Sequence, residues 1–428
     1  MAHTLATGRK ATFVKITYAA TAKVTSAFIL FILTALVTRN MPGEEAGLFL
    51  LGISLLGVMS VIFRLGLDNV ILRFLSAHSN NSFAQDKLNR GLQWIVTLSI
   101  PAALFGIINS KYIAIYIFQK PEFGDVLFWL LPALPAMAIF FLLSFAFQSQ
   151  HRVITTAIFQ KLGISSLFII GFGYLLFNMP SSISAVNSAK IYTVAAIIIC
   201  VAAIVTWYRQ SGTKLSLTSF SDHELKSASL NLWVASCMGL AVEWSGLLIA
   251  GVILTAEDVA LLSAAQRTAM LTSFVLMVVN MVVAPRYAKM WKESNLPGIE
   301  RLAKYSTRGM VTMVIPVVII IFLFSEQLMS LFGVGYEAAG ILLIIMTIGQ
   351  FINVSTGSVG YLLNMSGHEE DFRKVTLMTG PISIIISILF ITELGLMGAA
   401  IATAISVGIQ NIAALIMVKK RLGFIPIG

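Results

Sequence analysis

Charge is what this 428-residue chain has least of. Only 11% of its residues are Asp, Glu, Lys or Arg, while 57% are hydrophobic and mean hydropathy is +0.89. A soluble domain carries about 25% charged residues, which hold its surface in water. Too little charge is present to coat a core of this size, so a water-solvated globule is excluded. Histidine (5) and cysteine (2) are equally scarce. Cys200 and Cys237 both fall inside apolar runs, which argues against a disulfide framework and against a zinc site. No glycine-rich phosphate loop ending in Gly-Lys-Ser/Thr is present, so neither ATP hydrolysis nor any cofactor is expected. No paired carboxylates sit in a roomy loop outside the apolar runs, which leaves glycosyl transfer or polymerisation poorly supported.

What the chain has is long apolar runs, each sufficient for a helix to cross roughly 30 Å of hydrocarbon. They predict an all-α membrane protein of about twelve spans, at 16–37, 45–72, 91–108, 126–147, 153–177, 191–207, 228–254, 259–284, 310–324, 338–363, 375–391 and 396–418. Pro101, Pro132, Pro135, Pro316 and Pro381 fall within these runs. Neighbouring helices can satisfy the backbone groups that such prolines free, and bends are expected there. The basic stretch 1–15 precedes a run too long for a signal-peptide core and without a small-residue cleavage site. It is read as leading into a retained first span.

Net charge is +10, but the basic residues are spread over many short loops, so nucleic acid is not an expected partner. Their distribution is instead sided. One set of connections, together with both termini, holds nearly all Lys and Arg. The opposite set holds only Arg39, Lys111, Lys120 and Lys190. By the positive-inside rule, both termini are expected in the cytoplasm.

The two halves repeat. Glu44 and Glu257 lie 213 positions apart in similar surroundings, as do Arg73 and Arg286; Pro101 and Pro316 are 215 apart, Phe118 and Phe332 are 214, His151 and His368 are 217. Five ordered matches with so small a drift argue for duplication. Units of six spans face the same way, so they form parallel repeats with a substrate site expected between them. The expected division is 1–210, a cytoplasmic linker at 211–226, and 227–428.

Ionisable groups inside spans are costly, roughly 2.5–3.5 kcal/mol each on insertion scales. Lys23, Arg64 and Lys161 share a depth of roughly 10–12 Å from the basic side. They are candidates for a phosphate-attracting cavity, with snorkelling as the alternative for the two lysines. Asp68 lies one turn from Arg64, so a buried ion pair is the alternative there. Glu243 and Arg267 lie about 16 and 12 Å below the opposite surface on consecutive helices. Either they form an ion pair that fixes helix rotation, or Arg267 contacts an anionic substrate and Glu243 couples transport to an ion. Gln266, Asn280, Gln350 and Asn353 are expected to join helices rather than bind sugar. Trp233, Trp244, Met270, Met277 and Met281 are read as packing or interface anchors.

The segments PGEEAGLFLLGISLL and FRLGLDNVILRFLS in the first half, with VEWSGLLIAGVILTAEDVALLSAAQRTAML and VVAPRYAKM in the second, resemble the polysaccharide-exporter branch of the superfamily that includes MATE antiporters and lipid II flippases. The likeness is to Wzx-type flippases for O-antigen or related surface glycans. It implies a MATE-like bundle in a bacterial inner membrane and no enzymatic activity. The implied cargo is a polyprenyl-pyrophosphate-linked oligosaccharide of lipopolysaccharide or related glycan synthesis, moved from the cytoplasmic to the periplasmic leaflet by alternating access. Membrane lipid and other polysaccharide-assembly membrane proteins are the implied partners. Arg64 and Arg267 match positions where family members place cations in the lumen, whereas related sequences often have Asp where this chain has Glu243. A cation-coupled small-molecule exporter and, less favoured, a glycan polymerase or ligase are the alternatives. Intramembrane cations outnumber carboxylates, which weighs against an exporter of organic cations.

Overall fold

The computed structural model of the chain describes residues 28–77, 82–150, 152–211 and 222–427, together with 21, 25 and 26. The described residues are helical, with no strand among them. Eight of their helices are long and apolar enough to cross a membrane, or up to ten when two bent pairs are each taken as one span. The chain is a multi-pass α-helical membrane protein. It divides into two compact units, Met1–Cys237 and Met238–Gly428. The boundary falls inside a helix, whereas 212–221 of the expected linker lies outside the described residues.

In the first unit, α1 (Phe28–Asn40) is the described part of the first apolar run. It is followed by α2 (Gly43–Phe63), α3 (Leu67–Ala77) and α4 (Ser82–Ile108). Then come α5 (Phe123–Leu130), α6 (Ala133–Ser149), α7 (Gly163–Asn178) and α8 (Ala185–Ser211). Helix α6 is the hub, packing on α3, α4 and α8. Its Leu134, Phe140, Leu142, Ala146 and Phe147 are almost wholly buried. Phe49 stacks on Phe168 at 5.2 Å, and Phe147 stacks on Phe159 at 5.4 Å. Hydrocarbon outside does no hydrophobic work between helices, so interdigitated packing of this kind holds them together.

Helix α9 (His223–Ile253) runs from the first unit into the second. The second unit continues with α10 (Ala256–Met270), α11 (Phe274–Lys292), α12 (Leu296–Leu323), α13 (Gly340–Ser355), α14 (Val359–Met365) and α15 (Glu369–Leu422). Within it α13 packs on α10, α12 and α15. Helices recur at the offset read from the sequence: α2 starts at Gly43 and α10 at Ala256, while α4 starts at Ser82 and α12 at Leu296. Phe118 contacts Phe123 at 5.0 Å, and its counterpart Phe332 contacts Tyr336 at 6.3 Å, so an aromatic contact is made at the corresponding turn of each half.

Four expected spans are not single straight helices. The run 45–72 breaks at Arg64–Gly66, where Leu65 (φ +54°) and Gly66 (φ +70°) are left-handed. The runs 126–147 and 153–177 bend by 44° and 56°. The first of these bends precedes Pro132, and the second contains the π-helical turn Ile158–Leu162. In 338–363 the helix stops at Ser355 and resumes at Val359. Apolar content summed over a run does not show these breaks, because each spans only a few residues within a longer hydrophobic stretch. Conversely, α15 has 54 residues, which if straight would be about 80 Å long. Gly395 (φ +57°, ψ −133°) interrupts it, and a Cβ on Gly398 would collide with the Phe390 carbonyl. The chain therefore folds back there, giving two limbs that correspond to the expected runs 375–391 and 396–418.

Candidate functional site

Each unit holds a buried guanidinium group, Arg64 in the first and Arg267 in the second. Arg64 ends α2 and is 7% exposed. Its Nε donates to both Asp68 carboxylate oxygens at 2.9 and 2.8 Å, and an Nη donates to Ser60 Oγ at 3.0 Å. The guanidinium carbon lies 4.8 Å from the Phe141 ring centre. Asp68 sits in the first turn of α3, where the helix dipole favours a carboxylate. The pair thus straddles the break between α2 and α3. The same break is braced from α9: Trp233 Nε1 donates to the Ile62 carbonyl at 2.8 Å, one of the acceptors that a helix end leaves under-used. Glycine is required at 66, since a Cβ would fall 2.5 Å from the Trp233 nitrogen.

Of the other first-half candidates, Lys23 lies outside the described residues. Lys161 lies on the π-helical turn Ile158–Leu162, and its side chain lies outside the described part.

In the second unit Arg267, in the last turn of α10, is 9% exposed, whereas Glu243 on α9 is exposed. The neighbouring Gln266 joins the two helices, its Nε2 donating to the Glu243 carbonyl at 3.0 Å. Helix α10 is capped at its other end by a capping box between Thr255 and Asp258. Gln266 also lines a cavity with room for about one water molecule, shared with Met346, Gly349, Gln350, Thr403 and Val407. Gln266 Oε1 is buried without a hydrogen-bond partner among the described residues, so the cavity has a polar wall. Asn280 on α11 meets Ser358 at the start of α14, and Asn353 donates to Gln350 at 3.3 Å within α13. Gln266 and Asn280 therefore join helices.

One charged cluster has no local signature in the sequence. Lys87 Nζ lies 2.8 Å from both Asp222 and Glu224, and Arg90 lies 2.8 Å from Asp222. These partners are 132 to 137 positions apart, so spacing could not reveal them. Burial alone would lower the Lys87 pKa, but its hydrogen bonds to Asp222 and Glu224 hold it above the ordinary lysine value. Burial alone would raise Asp222, but Lys87, the Leu225 backbone N–H and Arg90 hold it below the usual carboxylate range. Among the described residues there is no group of three His, Cys, Asp or Glu that could hold a metal ion.

The chain is similar to known proteins over most of its length. Residues 13–291 match the family of polysaccharide biosynthesis proteins. The chain belongs to that family. This member is 24% identical to the probable low-salt glycan biosynthesis flippase Agl15 of Haloferax volcanii, over 87% of this chain and 76% of that one. Its fold is that of an inward-facing MATE family multidrug-resistance transporter of the MOP superfamily, with a TM-score of 0.74 and 16% identity over 94% of this chain and 98% of that one. It is equally that of the lipid II flippase MurJ in an inward closed conformation, with a TM-score of 0.74 and 12% identity over 94% and 87%. In this polysaccharide biosynthesis protein, Arg64 and Arg267 are cations buried each within its own unit.

Proposed function

We propose that this protein is a flippase of glycan biosynthesis. It carries a polyprenyl-pyrophosphate-linked oligosaccharide, an O-antigen or related surface-glycan unit, from the cytoplasmic to the periplasmic leaflet of a bacterial inner membrane by alternating access. The observation that carries the reading is membership of the polysaccharide biosynthesis family across residues 13–291. A relative named as a glycan flippase and the fold shared with MurJ support it. In this reading the chain has twelve spans in two six-helix halves, with both termini cytoplasmic. A guanidinium held in a low-dielectric bundle attracts pyrophosphate strongly and can grip it through two parallel hydrogen bonds. The lipid tail stays in the bilayer while the polar head passes.

Arg267, buried in the last turn of α10, is the preferred substrate contact, with Lys23, Lys161 and Arg64 in supporting roles. Glu243 and Asp68 are then the partners through which an ion could be coupled. The test measures surface glycan and membrane abundance in a strain dependent on this protein. Arg267→Ala should abolish surface glycan at normal abundance, while Arg267→Lys, which keeps charge but loses the planar fork, should retain part of it. If Arg267 only balances Glu243, abundance falls with function in Arg267→Ala, and adding Glu243→Gln restores both. Full export by that double variant would end the substrate role. Normal surface glycan with a raised sensitivity to organic cations, in a strain lacking the protein, would favour the small-molecule exporter instead.

A further inference from the structure

Helix α12 has only 22% of its apolar window buried, the smallest share among the span candidates. Along its inner face Ile299, Ala303, Thr307, Met310, Val314 and Ile321 are buried, with Val318 half-buried between the last two. The opposite face is equally continuous. Arg301, Tyr305, Arg308 and Thr312 are exposed at helical spacing, and Ile315, Ile319 and Leu323 extend the same line. The stripe thus has a cationic, aromatic head and an apolar tail. It carries no acidic residue, and the nearest carboxylate, Glu300, is engaged off the stripe by Lys304 at 2.7 Å. Neither Arg301 nor Arg308 forms an ion pair with a described residue.

The corresponding helix of the first half is built differently. On α4, Lys87 and Arg90 turn to Asp222 and Glu224 and are satisfied by protein carboxylates. Lys87 and Arg301 hold equivalent places, 214 positions apart. The first half engages Lys87 and Arg90 internally, whereas in the second half Arg301 is exposed and only Lys304, the counterpart of Arg90, is paired, with Glu300. Arg301 and Arg308 carry planar forks that suit phosphate oxygens, and Tyr305 stands between them on the same exposed face. The two arginines stand about 10 Å apart along the axis, a separation their long side chains can close by bending toward the interface.

We propose that this stripe is a binding groove for an anionic phospholipid of the leaflet on the basic side. Arg301 and Arg308 hold the phosphate, Tyr305 lies against the headgroup, and an acyl chain runs along Thr312, Ile315 and Ile319. The test is native mass spectrometry of the purified full chain, titrated with phosphatidylglycerol and with phosphatidylcholine of matched chains. The wild type should retain phosphatidylglycerol preferentially. Arg301→Gln with Arg308→Gln should reduce that preference roughly tenfold or more, since each cation near an anionic headgroup contributes several-fold. Both residues are exposed, so thermal stability should be unchanged. Arg301→Lys with Arg308→Lys should fall between, keeping charge without the fork. Lys289→Gln with Lys292→Gln removes the same charge from the exposed end of α11 and should have little effect. Undiminished phosphatidylglycerol preference in the Arg301/Arg308 double variant overturns the proposal. An equal loss in the Lys289/Lys292 variant reduces the effect to general charge and also overturns it. Displacement of phosphatidylglycerol from the stripe by undecaprenyl phosphate at equal concentration would reassign the groove to the carrier lipid and overturn it as a phospholipid site.

Discussion

Arg64 Nε donates to both carboxylate oxygens of Asp68, at 2.9 and 2.8 Å, across the point where α2 stops and α3 begins. Side-chain exposures of 8% and 16% put both groups largely out of solvent. Removing one partner of such a pair leaves an uncompensated charge, whereas removing both does not. Asp68→Ala should therefore cost about 3–5 kcal/mol, and the added change Arg64→Ala should recover much of it. Thermal melting in detergent and membrane abundance check this; an Asp68→Ala protein as stable as wild type would refute the pair.

Gly66→Ala should destabilise for two reasons. Its backbone is left-handed, at φ +70°, and the new methyl would meet Trp233 and Ser229 backbone atoms at 2.5 to 2.9 Å. Strain alone is worth about 1–3 kcal/mol, and the backbone clash adds to it. Gly57→Ala is the control, because nothing lies within 4 Å of a Cβ there and alanine favours the helix. The measurement is the difference in melting temperature between the two variants.

The Lys87–Asp222 cluster predicts a wide pH plateau. Asp222 is held below the usual carboxylate range, so its contribution is present above the unfolded-state pKa of about 4 and is lost as pH falls through the folded value. Lys87 is held above the usual lysine value, so its contribution is full below about pH 10 and is lost as pH rises through the folded value. Asp222→Asn should lower the melting temperature by a constant amount between about pH 5 and 9, and the gap should close in stronger acid. A gap that changes near neutrality would point to a different titrating group.

Reporter fusions test the orientation. Fusions after Lys87, Thr213 and Lys292 should read cytoplasmic, and those after Lys120 and Ser330 periplasmic. The rule behind this is the sided distribution of Lys and Arg. The reverse pattern would reverse the direction of transport proposed above.

Arg64 and Asp68 were legible as a possible pair because both lie on one stretch of chain, four residues apart. Gln266 was legible as a helix-joining side chain, because a polar amide in an apolar run needs a partner; that its partner is the Glu243 carbonyl was not. Arg90 and Lys87 looked like ordinary loop cations, since nothing near them in the chain is their counter-charge. The stripe of α12 was hidden for a related reason. Arg301 and Arg308 read as two more basic loop residues until the helix was seen to start at Leu296, which put them on a common face with Tyr305.

The sequence by itself determined that the chain lives in a bilayer as a bundle of helices, and that its helix starts recur near a 213-residue offset. Hydropathy and repetition are sums over local residues and survive without knowledge of any contact. Only the tertiary structure decided where those helices break and which charges meet. Leu65, Gly66 and Gly395 turn the backbone to positive φ where close packing or a hairpin demands it. Asp222 finds Lys87 and Arg90 only because folding brings together residues more than 130 positions apart.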